Sequence, residues 1–306
     1  MATDLKDETA PVFLVGATGT GKSEAGLALA REWGGAILAM DAMQVYRGAD
    51  LGTSKATAAE RAEVPHGGID LVEFGGNFDV ARYVAQAVEF LREQAAAGRR
   101  TIVVGGTGLY FRALTRGLCE APQGPAELRV ELGGLSVEEL RGRLAKVDPA
   151  MLERVDGANP RRLARAIEVM ETSGRSLRAW QEETPEAPVR EFTAVWIERS
   201  KAELQERLAA RVEGMFAAGW VEEVRGLIAR HGGEAVREFP GIGYREIGEV
   251  LARGGATVPE SVKRDILVAT RQYAKRQLTW FAREPKLQRV MLSGTTPFSA
   301  ARLFLS

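Results

Sequence analysis

Cysteine is almost missing from this chain: Cys119 is the single one in 306 residues. One thiol cannot close an internal disulfide, and it cannot build a metal site that needs several thiolates. Charge of one sign is not in excess either, since 41 basic residues face 41 acidic ones. Bulk charge therefore gives no steering towards nucleic acid, and such a role would need local basic patches. No apolar run could span a bilayer, and the start "MATDLKDETA" is polar without an apolar signal segment. The expectation is a cytoplasmic protein with no membrane partner. Internal repeats and low-complexity tracts are absent too. What remains is an ordinary globular balance, 45% hydrophobic and 27% charged, in a chain long enough for one or two domains with a sizeable core.

Short β-branched runs alternate with helical stretches: "PVFLV", "AILAM", "TIVVGG", "TAVWIE" and "LQRVML". That alternation predicts an α/β fold with a doubly wound, mostly parallel sheet. The texture changes after "TRGL". There "SVEELRGRLAKV" and "PRRLARAIEVMETSG" read as amphipathic helices, the second with Leu163, Ala166, Ile167 and Met170 at helical spacing and Gly174 as its stop. Residues 119–187 read as a helical insertion, and 1–118 with 188–306 as the core. Further helices are expected at "SKAELQERLAARVEGMFAAG", "WVEEVRGLIARHG" and "PESVKRDILVATRQYAKRQLTWFARE".

The first apolar run leads into "GATGTGKS", Gly16, Ala17, Thr18, Gly19, Thr20, Gly21, Lys22 and Ser23. This fits G-x-x-x-x-G-K-[ST] between a strand and a helix, the context that makes the pattern specific for phosphate. Glycines let successive amides point at an anion, and the helix adds its positive end. Lys22 would supply a mobile charge and Ser23 a hydroxyl for Mg²⁺. The loop specifies a polyphosphate and leaves the reaction open.

Asp41 ends the second strand, where the carboxyl ends of α/β strands border the ligand crevice. It could bind Mg²⁺ through water or take a proton from a nucleophile, or it could cap a helix. Gln44 offers a paired donor and acceptor to a base edge. At the third strand end, Gly105, Gly106 and Gly108 permit close backbone approach around the Thr107 hydroxyl, or simply make a tight turn. A metabolite kinase would use the same loop and aspartate. A nucleotide-hydrolysing switch is a further possibility, but its guanine-reading N/T-K-x-D pattern is missing.

Taken in order, "GATGTGKS", "DAMQVYRGADLGTSKAT", "VPHGGIDL", "GGTGLYFRAL", "NPRRLARAIEVMETSGRSL", "RLAARVEGMFAAGWVEEV", "GIGYREI" and "TRQYAKRQLTWF" resemble the tRNA dimethylallyltransferases over nearly the whole chain. The resemblance implies a P-loop NTPase-like core and transfer of a dimethylallyl group from its pyrophosphate to the exocyclic amine of the adenine just 3′ of the anticodon. It implies that the loop holds the donor's pyrophosphate, with Mg²⁺. It makes Asp41 the base, Arg211 a pyrophosphate neighbour with Lys22, and Thr107 and Asp41–Gln44 (with Ala42 and Met43) contacts to tRNA. It adds Arg129 and the run Arg161, Arg162, Leu163, Ala164 and Arg165 as contacts to the anticodon arm. One departure stands out: Gly67 follows His66 where the family usually shows a second histidine, so His66 reads as a structural hydrogen-bonding residue, as does His231.

Local basic patches do exist. From Ser261 to Arg283 six basic residues, among them Arg271, Lys275 and Arg276, face the single acid Asp265. Tyr273, Trp280 and Phe281 among them read as core aromatics rather than stacking platforms. With Arg161, Arg162 and Arg165 on the insertion, the expectation is a monomer that grips an anticodon stem-loop. Prenylation of free adenine nucleotides is the smaller-substrate alternative.

Overall fold

The computed structural model describes residues 9–255, 257–285 and 287–293. In chain order the first half runs β1 (Val12–Gly16), α1 (Lys22–Trp33), β2 (Ala36–Met40), α2 (Ala58–Glu63), β3 (His66–Gly67), α3 (Val80–Ala96), β4 (Thr101–Gly105) and α4 (Gly108–Arg116). Five helices follow without a strand: α5 (Ala126–Gly134), α6 (Val137–Val147), α7 (Pro149–Leu152), α8 (Pro160–Ser173) and α9 (Leu177–Glu182). The chain returns with β5 (Thr193–Arg199), α10 (Lys201–Ala217), α11 (Trp220–His231), α12 (Gly233–Glu238), α13 (Tyr244–Ala252), α14 (Glu260–Phe281) and β6 (Gln288–Leu292).

The strands form one six-stranded sheet in the order β3-β2-β4-β1-β5-β6, and every pair is parallel. Both faces of the inner strands are covered, which is why β1, β2 and β4 read as unbroken apolar runs. Alternate residues go to opposite layers: Val12, Leu14, Ile102, Val104, Val195 and Ile197 pack with α1, while Phe13, Val15, Leu38, Met40, Val103 and Trp196 pack with α3, α4 and Phe281. β3 is the one strand that escapes sequence reading. Two residues, His66 and Gly67, are too few to show a period.

Arg116–Ala187 forms one compact unit, and the residues up to Thr115 and from Pro188 form the other. The smaller unit has its own core of Leu132, Leu140, Leu144, Met151, Leu163, Ala166 and Ile167. Gly174 ends α8 in the left-handed region at φ +66°, and its N–H reaches Met170 O. In the larger unit α10 to α13 make a third cluster around Trp220, Val224, Phe239 and Tyr244.

Candidate active site

The loop between β1 and α1 owes its path to two residues with positive φ, Gly19 at +83° and Gly21 at +92°. Side chains far away in sequence hold it. Arg207 Nε donates to Gly19 O at 2.8 Å, and Arg199 Nε to Thr20 O at 2.9 Å. Gln277 Oε1 accepts the Thr18 N–H at 2.8 Å. Within the loop, Ala17 O accepts from Thr20 Oγ1 at 2.9 Å and from Lys22 Nζ at 3.1 Å. The first N–H groups of α1, from Lys22 on, have no intrahelical acceptor, as at any helix start, and α1 carries no side-chain cap. An anion at that end completes the helix.

The loop opens on a cavity of about 300 Å³ lined by Thr18, Lys22, Ser23, Asp41, Gln44, His66, Arg211 and Gln277 among its polar groups. Of its three cations, Lys55 is already tied to Asp50 and Asp70 at 2.6 Å each, and Lys22 and Arg211 are the other two. Burial, helped by the neighbouring Arg211 charge and opposed by Asp41, pushes the Lys22 ammonium down to about 8. Burial also lowers the Arg211 guanidinium from its ordinary value, with Asp41 and Glu24 opposing. Two cations held together in a desolvated place form an anion trap, because Asp41 offsets their charge only in part and an added anion relieves both further. The same cavity is floored by Leu27, Ile37, Ala39, Ile69 and Val104. None of these five stood out in the sequence, because each also reads as ordinary core.

Asp41 lies directly beyond β2, as expected, but no helix follows it, so it is no helix cap. Its Oδ1 accepts the Met43 N–H at 2.8 Å in a turn. Thr107 Oγ1 accepts the Ala42 N–H at 3.1 Å, which ties the "DAMQ" turn to the third strand end. Gln44 departs from the expectation of a paired donor and acceptor. Its Nε2 already donates to Thr53 O at 3.1 Å and Ser54 O at 3.3 Å, leaving the carbonyl oxygen as its remaining group. His66 behaves as a structural residue, its Nδ1 2.7 Å from Val64 O, and burial lowers its pKa. The glycine beside it has a physical reason: a Cβ on Gly67 would sit 2.6 Å from the Phe90 ring.

The basic residues divide into two kinds. Arg271, Lys275 and Arg276 are exposed on α14, and Phe281 on its inner side is fully buried. On α8 Arg161 is exposed and Arg162 makes only a 3.9 Å contact with Asp156. Arg165 is engaged within the insertion. Its guanidinium donates to Ala121 O at 2.7 Å, Pro122 O at 2.9 Å and Glu168 Oε2 at 2.8 Å, so it fastens the start of the insertion. The Leu163 side chain is fully buried in the insertion's core, which leaves it no side-chain surface for RNA. Ala164 is half-buried there, and Arg129 is exposed on α5.

The IPP transferase family model matches residues 44–284. The chain belongs to this family, the tRNA dimethylallyltransferases. It is 44% identical to the tRNA dimethylallyltransferase of Methylacidiphilum infernorum (isolate V4), over 94% of this chain and 87% of that protein. It is 42% identical to tRNA dimethylallyltransferase 1 of Citrifermentans bemidjiense, over 89% of each. Among solved structures, the full-length tRNA isopentenylpyrophosphate transferase of Bacillus halodurans is similar at TM-score 0.68 and 28% identity, covering 97% of this chain and 95% of that one. A eukaryotic dimethylallyltransferase acting on tRNA shares the fold at TM-score 0.80 and 21% identity, over 97% and 77%. The parallel sheet is thus that of the IPP transferases, P-loop NTPase-like in kind. Among the described residues no helix is long and apolar enough to cross a membrane.

Proposed function

We infer that this chain transfers a dimethylallyl group from dimethylallyl pyrophosphate to tRNA, at the exocyclic amine of the adenine 3′ of the anticodon. The transferase activity on tRNA is the family's. One observation carries the chemistry: a single cavity joins an anion cradle, a carboxylate and an apolar floor. A kinase needs the cradle and the carboxylate, but it has no use for five aliphatic side chains beside them. A five-carbon chain does.

The residues divide the work as follows. The loop amides, Lys22 and Arg211 hold the pyrophosphate and oppose the negative charge that grows as the allylic carbon–oxygen bond breaks. Leu27, Ile37, Ala39, Ile69 and Val104 surround the allyl chain and keep water from the electron-poor carbon. The adenine amine forms the new carbon–nitrogen bond. Its proton, which becomes acidic only as that bond forms, passes to Asp41. Thr107 holds the Asp41 turn through the Ala42 N–H.

Mg²⁺ fits the donor set in one way. No cluster of three carboxylate, thiol or imidazole ligands exists among the described residues. The exposed Ser23 hydroxyl at the loop's end would hold a largely hydrated ion. The chemistry such an ion would supply there is added positive charge opposing that of the departing pyrophosphate.

Exposed basic faces occur in both units, Arg271, Lys275 and Arg276 in one and Arg129, Arg161 and Arg162 in the other. They are the proposed contacts to the anticodon stem-loop. The chain is proposed to act as a monomer. The test is one incubation series with labelled dimethylallyl pyrophosphate or ATP as donor, and unmodified tRNA, AMP or no acceptor. Label moving from the prenyl donor to tRNA alone supports the reading. Prenylation of AMP, or phosphoryl transfer from ATP, refutes it.

A further inference from the structure

On the inner side of α14, Tyr273, Gln277 and Trp280 succeed one another at intervals of four and three, which makes them one helical stripe. All three meet the "GGTG" turn between β4 and α4. The Trp280 indole occupies the space a Cβ on Gly108 would need, and the Gln277 amide the space a Cβ on Gly106 would need. The Tyr273 phenol lies beside the Thr107 hydroxyl. The glycines of this turn are therefore a bed cut for one helix, besides allowing the chain to turn.

Gln277 reaches further than its neighbours. While its Oε1 accepts the Thr18 N–H of the phosphate loop at 2.8 Å, its Nε2 donates to Gly106 O at 3.0 Å. The side chain is only 5% exposed. An uncharged fork with one donor arm and one acceptor arm is peculiar to the carboxamides, and asparagine is one methylene too short to span both partners. The bond also takes the Thr18 amide out of the set that can face an anion. The cradle is then left to the amides from Gly19 onward and to the start of α1.

We propose that Gln277 is a positioning residue, whose carboxamide locks the phosphate loop to the turn that carries Thr107. The donor's pyrophosphate and the Asp41 turn, which Thr107 holds, are thereby kept at a fixed separation. The same helix presents Arg271, Lys275 and Arg276 outward, so RNA held on that face is registered against the cradle by one rigid element. The kinetic part rests on the prenyl-transfer reading; the lock itself does not.

Three variants test it. Gln277→Glu keeps the shape and the acceptor but sets a carboxylate against Gly106 O. Gln277→Leu removes both arms, and Gln277→Asn shortens the fork. In each, kcat/KM for dimethylallyl pyrophosphate at saturating tRNA should fall about 10–100-fold, the usual range for a group that orients a catalytic one. The Kd for tRNA should stay within about twofold. Hydrogen exchange at the Thr18 amide should quicken about tenfold or more in Gln277→Asn, a readout that needs no turnover. If Gln277→Leu does not fold, the Asn variant and its exchange rate carry the test. Unchanged Thr18 exchange together with unchanged kcat/KM overturns the proposal. So does a loss confined to tRNA affinity, which would make Gln277 an RNA contact. A wild-type protein without prenyl transfer whose Thr18 exchange still responds would refute the functional reading and leave the lock standing.

Discussion

If the Lys22 ammonium is what holds the pyrophosphate, activity should have an alkaline limb set by this one group. The lysine sits beside Arg211 in a desolvated cavity, and its pKa falls from 10.5 to about 8. A group titrating there is about nine-tenths charged at pH 7 and about one-tenth charged at pH 9. The prenyl donor does not change over that interval, because the last ionisation of a phosphate ester lies near about 6. So kcat/KM for dimethylallyl pyrophosphate, at saturating tRNA, should drop about tenfold between about pH 7 and about pH 9. The bound anion favours the charged lysine, so the limb in kcat should lie at higher pH than the limb in kcat/KM. Stability should move the other way. Between about 8 and 10.5 the unfolded chain holds a proton that the folded protein has released. The penalty for burying the cation is therefore full below about 8 and is relieved as pH rises through that window. The assay is pyrophosphate release at constant ionic strength, with Lys22→Met as the control whose residual rate should show no such limb. A wild-type profile flat across that range, or a limb that survives in Lys22→Met, refutes the assignment of the cation to Lys22.

Three further outcomes are expected. Asp41→Asn keeps shape and removes the proton acceptor, so kcat should fall about 10²–10⁴-fold with tRNA affinity nearly unchanged; a loss of tRNA binding with a normal rate per bound complex would make Asp41 a positioning group. Arg161→Ala with Arg162→Ala should lower the slope of log affinity for tRNA against log salt by up to about 0.9 per lost phosphate contact, leaving donor binding intact; an unchanged slope would mean both merely solvate α8. Arg165→Ala takes the ion-pair partner from Glu168, which is 6% exposed and keeps the Gly124 N–H at 2.8 Å, and should cost about 3 kcal/mol in urea unfolding with little change in salt slope; a variant as stable as wild type would contradict the structural role.

Much of the core is legible in the sequence, for physical reasons. β1, β2 and β4 are buried throughout and β5 through most of its length, and that demands continuous apolar runs that stand out from the amphipathic helices between them; the edge strand β6 buries only Val290 and Leu292. The phosphate loop was readable because backbone geometry dictates it: positive φ at Gly19 and Gly21 needs glycine, and the anion needs Lys22 and Ser23 next to a helix start. α8 and its Gly174 stop announced themselves by period and by the left-handed cap.

Arg161, Arg162 and Arg165 show where that legibility ends. They are identical in type and lie within five residues, yet one is tied to Ala121 O, Pro122 O and Glu168 while the others reach solvent. Sequence gives a residue its charge and its turn of helix; which backbone carbonyls come to meet it depends on segments more than 40 positions away. Gln277 was missed for the same reason. A glutamine on a basic helix looks like one more solvated polar group, and its partners Thr18 and Gly106 are 259 and 171 residues distant. The apolar floor was hidden differently, since Leu27, Ile37 and Val104 belong to the core cluster and also line the cavity. Local pattern sets the period and the backbone conformations, because those follow from neighbours along the chain. Whether a carboxamide becomes a lock, an arginine a fastener or an isoleucine a wall was decided only when long-range packing put a partner, or a space, beside it.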